Sequence, residues 1–368
     1  MEEARELPVG LAREEIISRI EETFLAFLEG LASDTFTVFH TLKRATNAMD
    51  FDCDAQTLAH AGETRAIKMT TTGARKYTGM WLVLQIAHQL LRENKTVTQR
   101  ELYYLHPFFT TQQEADECIL DVSGLLRVPR ECLNIVGGVK GYFTGRICYQ
   151  ETNNHWIDCS QDGGTGRPIS RDILRLESHQ MQIFGVFNLS DAKYVIVVEK
   201  EGIFNRLGED LFFNRVPCIL VTGKGFPDLA TRIFVKKLSD ALRVPVLGLC
   251  DCNPFGLSIF LSYKFGSARM PLDSVAYAVD IKWVGLRPLD AMALELPKVV
   301  RTKFSKHDKR RLQGLLAHPF VQTNAQYGAE VDEWARLPQK IELEALHTKG
   351  FGYITTYLEA QVRLGNYI

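Results

Sequence analysis

Residues 194 to 264 alternate short apolar runs with helical patterns, and this alternation constrains the fold more than any other feature of the sequence. The apolar runs are YVIVVEK at 194–200, PCILVTGKG at 217–225 and VPVLGLCDCNPFG at 244–256. Strand and helix repeats of this length predict a parallel sheet whose crossovers are right-handed. We therefore predict an α/β domain with a C-terminal extension over residues 186–368, in a protein that is α+β overall.

Two capping boxes mark the start of helices upstream of this domain. They are Thr98–Glu101 and Thr111–Glu114, each a threonine followed three residues later by a glutamate. A strong apolar helical pattern at 80–94 precedes both of them. The sequence therefore predicts three consecutive helices before the α/β region.

The β-rich sequence CLNIVGGVKGYFTGRICYQ follows these helices at residues 132–150. Its two runs surround four glycines, a pattern typical of a β-hairpin. Three helices and a hairpin predict a winged helix-turn-helix domain at residues 79–150, with the hairpin as its wing. Lys140 and Arg146 on this wing are candidate contacts to DNA phosphates. Winged helices also serve as protein-binding modules, so the pattern alone leaves both functions open.

The rest of the chain is assigned to an N-terminal extension and a connector. Residues 11–48 carry apolar side chains near helical spacing, and residues 49–78 are polar and irregular. We therefore expect a helical extension followed by a linker over residues 1–78. Residues 151–185 are turn-rich and are expected to form an exposed connector.

The composition excludes several classes of protein. Hydrophobic residues make up 46% and charged residues 24%, which is typical of a globular chain. A formal net charge of −1 argues against nucleic-acid binding by the whole surface, unless the contact is confined to a groove or a metal ion supplies positive charge. No apolar run reaches the length of a bilayer span. Eight cysteines without a C-x-x-C pair predict free thiols in a reducing compartment.

Acidic and amide side chains follow two of the predicted strands. Glu199 ends the first strand, and Asp251 and Asn253 follow the third. Because ligands bind beyond the carboxyl ends of parallel strands, we expect these side chains to converge. Hard oxygen ligands of this kind suit Mg²⁺. Each acid alone is more typical of a strand-end carboxylate that caps the next helix, so the prediction depends on their combination.

The stretch RELYYLHPFF at 100–109 places Tyr103 and Tyr104 side by side in the helix predicted to begin at Thr98. Neighbouring residues of a helix lie about 100° apart around its axis, so the two rings cannot both face the core. Arg100 lies four residues before Tyr104 and shares its helix face.

Taken together, these motifs resemble the A subunit of topoisomerase VI. The segments VVEKEGIF, TGKGFPDLATR and DCNPFG followed by YKFGS are similar to its Toprim metal-binding fold. QRELYY with LNIVGGVKGYFTG is similar to its tyrosine-bearing winged helix. The resemblance runs from about residue 80 to the last residue of the sequence. The cysteine content and the DCNPFG variant favour the eukaryotic branch, the meiotic transesterases that make DNA double-strand breaks.

The resemblance implies a reaction and a role for each candidate residue. Tyr104 is expected to attack a DNA phosphodiester and stay joined to the 5′-phosphate, while Arg100 holds the scissile phosphate or the phenolate. Glu199, Asp251 and Asn253 are expected to hold Mg²⁺. The family often has D-x-D where this chain has DCN. Because an amide brings no charge, we expect a weaker affinity for Mg²⁺.

The resemblance also implies partners and leaves rival hypotheses. We expect double-stranded DNA as substrate, a homodimer in which one subunit's tyrosine meets the other's metal, a B-type ATP-binding or B-like subunit, meiotic accessory proteins and a nuclear location. The rivals are another Toprim enzyme such as a primase or nuclease, a non-catalytic paralogue that binds DNA or partners, and the A subunit of a full ATP-dependent type IIB topoisomerase. Residues 1–78 carry little resemblance, and their role stays open.

Overall fold

The computed structural model describes residues 11–54, 56–150, 155–170, 173 and 192–368. The chain folds into two units. The first holds the residues up to Gly138 together with Gly266–Ala276, and the second holds Val139–Phe265 and Tyr277–Ile368. Residues 139–150, expected within the winged-helix domain, thus fall in the second unit.

The α-helices of the described residues are named in chain order. They are α1 Arg13–Ala32, α2 Ala74–Glu93, α3 Gln99–Leu105, α4 Gln112–Leu126, α5 Glu201–Glu209, α6 Phe212–Arg215, α7 Leu229–Leu242, α8 Pro254–Lys264, α9 Pro271–Ala276, α10 Pro288–Ala293, α11 Lys306–Leu316, α12 Pro319–Thr323, α13 Ala325–Arg336 and α14 Tyr353–Arg363.

The strands of the described residues follow the same convention. They are β1 Phe39–Leu42, β2 Met49–Asp52, β3 Thr57–His60, β4 Thr64–Ile67, β5 Val97–Thr98, β6 Ile135–Val136, β7 Tyr142–Gly145, β8 Cys148–Gln150, β9 Trp156–Asp158, β10 Arg167–Pro168, β11 Tyr194–Val198, β12 Cys218–Thr222, β13 Val246–Leu249, β14 Ile281–Gly285, β15 Thr302–Lys303 and β16 Gln339–Lys340.

A six-stranded sheet in the order β10-β7-β12-β11-β13-β14 forms the centre of the second unit. Strands β12, β11, β13 and β14 run parallel, β7 pairs antiparallel with β12, and β10 pairs antiparallel with β7 at the edge of the sheet. Every residue of β12 and β13 is buried, as expected for parallel strands covered by helices on both faces. The parallel sheet predicted from the apolar runs is confirmed.

The first unit has an apolar core built mainly from α2 and α4. Helix α4, which follows the capping box at Thr111, buries its apolar residues from Ala115 to Leu126, except that Leu125 is half-buried. Gly79 of α2 lets the two helices approach closely, since a Cβ there would lie 2.8 Å from Cys118 Sγ. Ile16 and Ile20 of α1 pack into the same core.

The N-terminal extension differs from the prediction. The helix predicted for residues 11–48 ends at Ala32, and β1 then pairs antiparallel with β4. The linker predicted for residues 49–78 instead holds β2, β3 and β4, with β2 paired to β3. The segment FTVFHTL at 36–42 is rich in aromatic and β-branched residues, which favour strands. The helical periodicity of this region therefore ends with α1 at Ala32.

A buried carboxylate attaches these strands to α4. Asp121 of α4 is fully buried, and Arg44 Nη2 lies 2.9 Å from its Oδ1 while Lys76 Nζ lies 2.6 Å from its Oδ2. Arg65 also pairs with this carboxylate. Since an unpaired buried charge is strongly unfavourable, these cations allow Asp121 to remain inside the unit.

The prediction of a hairpin at residues 132–150 is wrong. Strand β6 pairs in parallel with β5, β7 joins the large sheet beside β12, and β8 pairs with β9. Local periodicity identifies strands but not their partners. Gly141 permits a close approach within the second unit, since a Cβ there would lie 2.2 Å from Thr231 Oγ1. The winged-helix description of residues 79–150 stays a prediction.

The predicted connector contributes to the fold where it is described. Between residues 155 and 170, β9 pairs with β8, and β10 pairs with β7 at the edge of the large sheet. Most of residues 171–191, and residues 151–154, lie outside the described residues. All eight cysteines are free thiols, as predicted.

Candidate active site

The helix that carries the tyrosine pair begins where its capping box predicts. Thr98 Oγ1 accepts a hydrogen bond from the Glu101 amide at 3.0 Å, and Glu101 Oε2 accepts one from the Thr98 amide at 2.5 Å. This reciprocal pair satisfies two helix-end amides and fixes the residue at which α3 begins. Leu102 is fully buried and marks the face of α3 that packs on the core.

Tyr103 and Tyr104 have different environments, as their helical spacing predicts. Tyr103 packs partly buried against the first unit's core, and its hydroxyl lies 3.5 Å from the Thr110 carbonyl oxygen. Tyr104 is 66% exposed. The two rings are 4.9 Å apart between centroids and tilted by 54°. Tyr104 thus presents its phenol to solvent from a ring supported on one side by Tyr103.

Arg100 lies beside the exposed phenol. Its Nη2 is 3.5 Å from Tyr104 Oη, and its guanidinium carbon is 5.9 Å from the centroid of the Tyr104 ring. The hydrogen bond with Tyr104 raises the pKa of Arg100 above its usual value. Arg100 thus places a permanent positive charge beside the exposed phenol oxygen.

Glu199 and Asp251 meet at the carboxyl end of the parallel sheet, as predicted. They follow the adjacent strands β11 and β13, and the Asp251 amide donates a hydrogen bond to Glu199 Oε2 at 2.9 Å. Burial raises the pKa of Glu199 above its usual value. Two strands that are neighbours in space thus bring together residues 52 positions apart.

Asp251 is buried and held from a second direction. Its Oδ1 accepts a hydrogen bond from the Leu343 amide at 2.8 Å. Burial, the charge of Glu199 and a hydrogen bond with Glu342 together raise the pKa of Asp251 to about 8.

Two further acids and a lysine complete the cluster, and the sequence reasoning missed all three. Ligand oxygens of Asp251, Glu342 and Glu344 lie within 4.8 Å of one another. Lys200 Nζ lies 2.9 Å from Asp251, 2.5 Å from Glu342 and 2.7 Å from Glu344. The alternating acids of KIELE and the lysine directly after Glu199 were the available signals.

An antiparallel bridge brings the two acidic segments together. The Cys252 amide donates to the Ile341 carbonyl at 2.9 Å, and the Ile341 amide donates to the Cys252 carbonyl at 3.1 Å. This bridge joins residues about ninety positions apart in the sequence, and no local pattern predicts it. It places Glu342 and Glu344 beside Asp251.

Asn253 caps α8. Its Oδ1 accepts hydrogen bonds from the amides of Phe255 and Gly256, both at 2.9 Å. The side chain is buried, and the carbonyl oxygen proposed as a metal ligand is engaged by the helix end. The metal-ligand role of Asn253 stays a prediction.

The cluster fits a divalent cation. Its donors are carboxylate oxygens, which are the ligands that Mg²⁺ prefers. Carboxylate oxygens of Asp251, Glu342 and Glu344 all lie within 2.9 Å of Lys200 Nζ, so they already converge on one positive charge. Glu199 adds a further carboxylate next to Asp251.

Two models of known families match the chain. The Toprim-domain model of Spo11 and the topoisomerase 6 A subunit matches residues 194–362, and the model described as type IIB DNA topoisomerase matches residues 75–135. A meiotic recombination protein SPO11-2 from Arabidopsis thaliana is 36% identical over 301 residues, covering 80% of this chain and 76% of that protein. The chain belongs to the family of Spo11 and the topoisomerase 6 A subunit. The parallel sheet of its second unit is accordingly a Toprim fold.

Other family members have similar identity. The A subunit of DNA topoisomerase 6 from Arabidopsis thaliana is 35% identical over 304 residues, covering 82% of this chain and 67% of that protein. Meiotic recombination protein SPO11 of Homo sapiens is 32% identical over 377 residues, covering 99% of this chain and 92% of that protein. The chain thus resembles both the meiotic and the topoisomerase members of the Spo11 family.

Lys140 and Arg146 lie outside both family-model matches. Lys140 is exposed, with its Nζ 3.4 Å from the Lys224 carbonyl oxygen. Arg146 is half-buried, and its Nε donates to the Phe213 carbonyl at 3.1 Å. Because β7 pairs with β12 in the large sheet of the second unit, neither residue lies on a hairpin of the kind predicted at residues 132–150. Their DNA-binding role in this Spo11-family chain stays a prediction.

No helix in the described part of this Spo11-family chain combines the length and the apolar character that a membrane span requires.

Proposed function

We propose that this chain makes DNA double-strand breaks by tyrosine transesterification to initiate meiotic recombination. The single observation that carries the proposal is the exposed phenol of Tyr104 with the Arg100 guanidinium beside it. Both residues lie within the match to the type IIB DNA topoisomerase model. A surface phenol next to a fixed cation is accessible to a macromolecular substrate.

In the proposed reaction, Tyr104 Oη attacks the phosphorus of a DNA phosphodiester. A bond forms between Oη and phosphorus, and the bond from phosphorus to the 3′-oxygen breaks. The phenol loses its proton, and the departing 3′-oxygen gains one. Because one ester replaces another, no water is consumed and the 5′-phosphate stays covalently joined to the protein.

Arg100 has two roles in this proposal. Its guanidinium stabilises the phenolate before attack, and it contacts the phosphate oxygens as charge develops on them. A planar guanidinium suits both tasks because it stays charged at all physiological pH values. Tyr103 is assigned no chemical role, since it packs against the core.

The acidic cluster of the Toprim fold would hold Mg²⁺. Glu199 and Asp251 are the proposed ligands, with Asn253 as a neutral one, and Glu342 and Glu344 lie close enough to contribute. When bound, Mg²⁺ supplies positive charge that stabilises phosphate oxygens and the leaving 3′-oxygen. The hydrogen bond from the Leu343 amide would keep the Asp251 carboxylate in place as a ligand for that ion.

The partners follow from the family. We propose a homodimer that cuts both strands of duplex DNA in the nucleus, together with meiotic accessory proteins and a B-type or B-like subunit. Relatives named for meiotic recombination support the meiotic role. The identity with the A subunit of DNA topoisomerase 6 supports a second candidate, in which this chain is the A subunit of an ATP-dependent type IIB topoisomerase.

Covalent capture of DNA tests the proposal. The tagged chain is expressed in meiotic cells or with its partner subunits, denatured, and assayed for DNA 5′ ends that remain attached. Wild type and the matched control Tyr103→Phe are expected to form the adduct, and Tyr104→Phe to form none. Arg100→Gln is expected to slow its formation by roughly 100-fold.

The outcomes separate the hypotheses. No adduct from wild type, with partners present and DNA binding intact, would favour the non-catalytic paralogue. Loss of the adduct in Tyr103→Phe but not in Tyr104→Phe would identify Tyr103 as the nucleophile. Relaxation of supercoiled DNA that requires ATP would favour the topoisomerase.

A further inference from the structure

We propose that Lys200 is a built-in counter-ion that fills the acidic cluster in the metal-free chain and leaves it when a divalent ion binds. The inference rests on the proposed metal site of the Toprim fold. It assigns to Lys200 a role that is separate from the chemistry of DNA cleavage. It also explains how several carboxylates remain close together without a metal ion.

The first argument is geometric. Lys200 Nζ lies within 2.9 Å of oxygens from Asp251, Glu342 and Glu344, so the ammonium occupies the point on which these carboxylates converge. The oxygens lie within 4.8 Å of one another, a spacing at which one small cation can contact all of them. A divalent ion and the ammonium therefore compete for the same position.

The second argument concerns mobility. Lys200 precedes α5 and reaches the cluster through a flexible four-carbon side chain that is 25% exposed. Asp251 is fixed by the Leu343 amide, and the exposed fractions of the Glu342 and Glu344 side chains are 46% and 49%. The acidic cluster is therefore accessible to solvent, and the Lys200 side chain can rotate into water without a change in the backbone.

The third argument concerns charge. The carboxyl groups of Asp251, Glu342 and Glu344 lie close together, and ionised carboxylates at such distances repel one another. The ammonium offsets this repulsion when no metal ion is bound. A divalent ion must displace the ammonium before it can bind, and this competition lowers the apparent affinity of the site for divalent ions.

The first test measures Mn²⁺ binding to the purified, DNA-free chain at fixed pH and ionic strength, by electron paramagnetic resonance of the free ion. Lys200→Met keeps the length of the side chain and removes its charge. We expect this variant to bind Mn²⁺ at least about tenfold more tightly than wild type. The matched control is Lys264→Met, which removes another paired lysine at the far end of α8 and should bind like wild type.

The second test needs no variant and therefore does not depend on how well Lys200→Met folds. Lysines of the wild-type chain are acetylated with and without Mn²⁺, and the modified residues are quantified by mass spectrometry. We expect acetylation of Lys200 to rise severalfold when Mn²⁺ is present, while acetylation of Lys264 stays constant.

Three results would overturn the proposal. One is Mn²⁺ affinity in Lys200→Met that is equal to or weaker than in wild type. Another is unchanged or reduced acetylation of Lys200 in the presence of Mn²⁺, and the third is an absence of Mn²⁺ binding in both proteins. Neither test uses DNA, so failure of the transesterase proposal is detected independently by covalent capture.

Discussion

Tyr103 and Tyr104 are chemically identical, and their position on α3 distinguishes them. One position along a helix turns the side chain by about 100°, which places Tyr103 against the core and Tyr104 in solvent beside Arg100. The capping box at Thr98, which marks the start of α3, was readable from the sequence. Asn253 shows the opposite situation, because the sequence pattern predicts an oxygen ligand there but does not reveal that the same oxygen accepts hydrogen bonds from the first amides of α8.

Substitution of Asn253 separates its two roles. Asn253→Asp keeps an oxygen that can cap α8 and adds a negative charge near Asp251, so we expect tighter binding of Mg²⁺ than in wild type. Asn253→Ala removes the cap and is expected to lower the free energy of unfolding by about 1 kcal/mol. Calorimetric titration with Mg²⁺ and chemical denaturation measure these effects. Equal Mg²⁺ affinities for wild type and Asn253→Asp would show that residue 253 is not part of the metal site.

At the scale of elements, the capping box at Thr111 predicted the start of α4, and apolar runs predicted strands β11, β12 and β13, because nearly every residue of these strands is buried. The pattern of β-rich runs did not predict the strand partners of residues 132–150, where we expected a hairpin. The strand character of residues 142–145 was readable, whereas their pairing with β12 depends on residues more than seventy positions away. Strand partners are chosen by packing of the whole unit, which a local pattern does not contain.

The start of α4 provides a pH-dependent contribution to stability. Arg75 Nε lies 2.5 Å from Glu114 Oε1, and this hydrogen bond lowers the pKa of Glu114 to about 2. A depressed carboxyl pKa stabilises the fold above the unfolded value near 4.5, and this contribution is lost as the pH falls from there toward 2. Because Arg75 is half exposed, we expect Glu114→Gln to cost only about 1 kcal/mol at pH 7.

Chemical denaturation of wild type and Glu114→Gln at several pH values measures this effect. The difference in unfolding free energy should be constant from pH 7 to 5 and shrink below pH 4.5. Glu29→Gln, at an exposed position of α1, is the control and should remain close to wild type throughout. A difference between Glu114→Gln and wild type that persists undiminished at pH 3 would contradict the assignment to the charge of Glu114.

At the scale of the whole molecule, the proposed nucleophile and the proposed metal ligands belong to different units of the chain. Tyr104 lies in the first unit, and Glu199 and Asp251 lie in the second. The resemblance anticipated this division, because the tyrosine and the Toprim motifs occur in separate stretches of sequence. It did not supply Glu342 and Glu344, since the bridge between Cys252 and Ile341 that positions them joins segments far apart in the chain.

A mixed dimer tests whether the proposed active site is shared between subunits. Tyr104→Phe and Glu199→Gln chains carrying different tags are co-expressed, and the heterodimer is isolated through both tags. If each tyrosine acts with the metal of the other subunit, one site is intact and the other carries both defects. We therefore expect covalently attached single-strand nicks.

Each homodimeric variant is the control for this experiment and should leave DNA uncut. Complete inactivity of the heterodimer, with DNA binding preserved, would indicate that each tyrosine acts with the metal of its own subunit.

The central claim is that Tyr104 becomes covalently joined to DNA, and peptide mapping of the captured adduct tests it most directly. The adduct is treated with nuclease and trypsin, and the peptide spanning residues 101–127 is fragmented in a mass spectrometer. We predict a nucleotide attached through its 5′-phosphate to Tyr104, with Tyr103 unmodified. A nucleotide on any other residue, or broken DNA without a nucleotide on the protein, would contradict the claim.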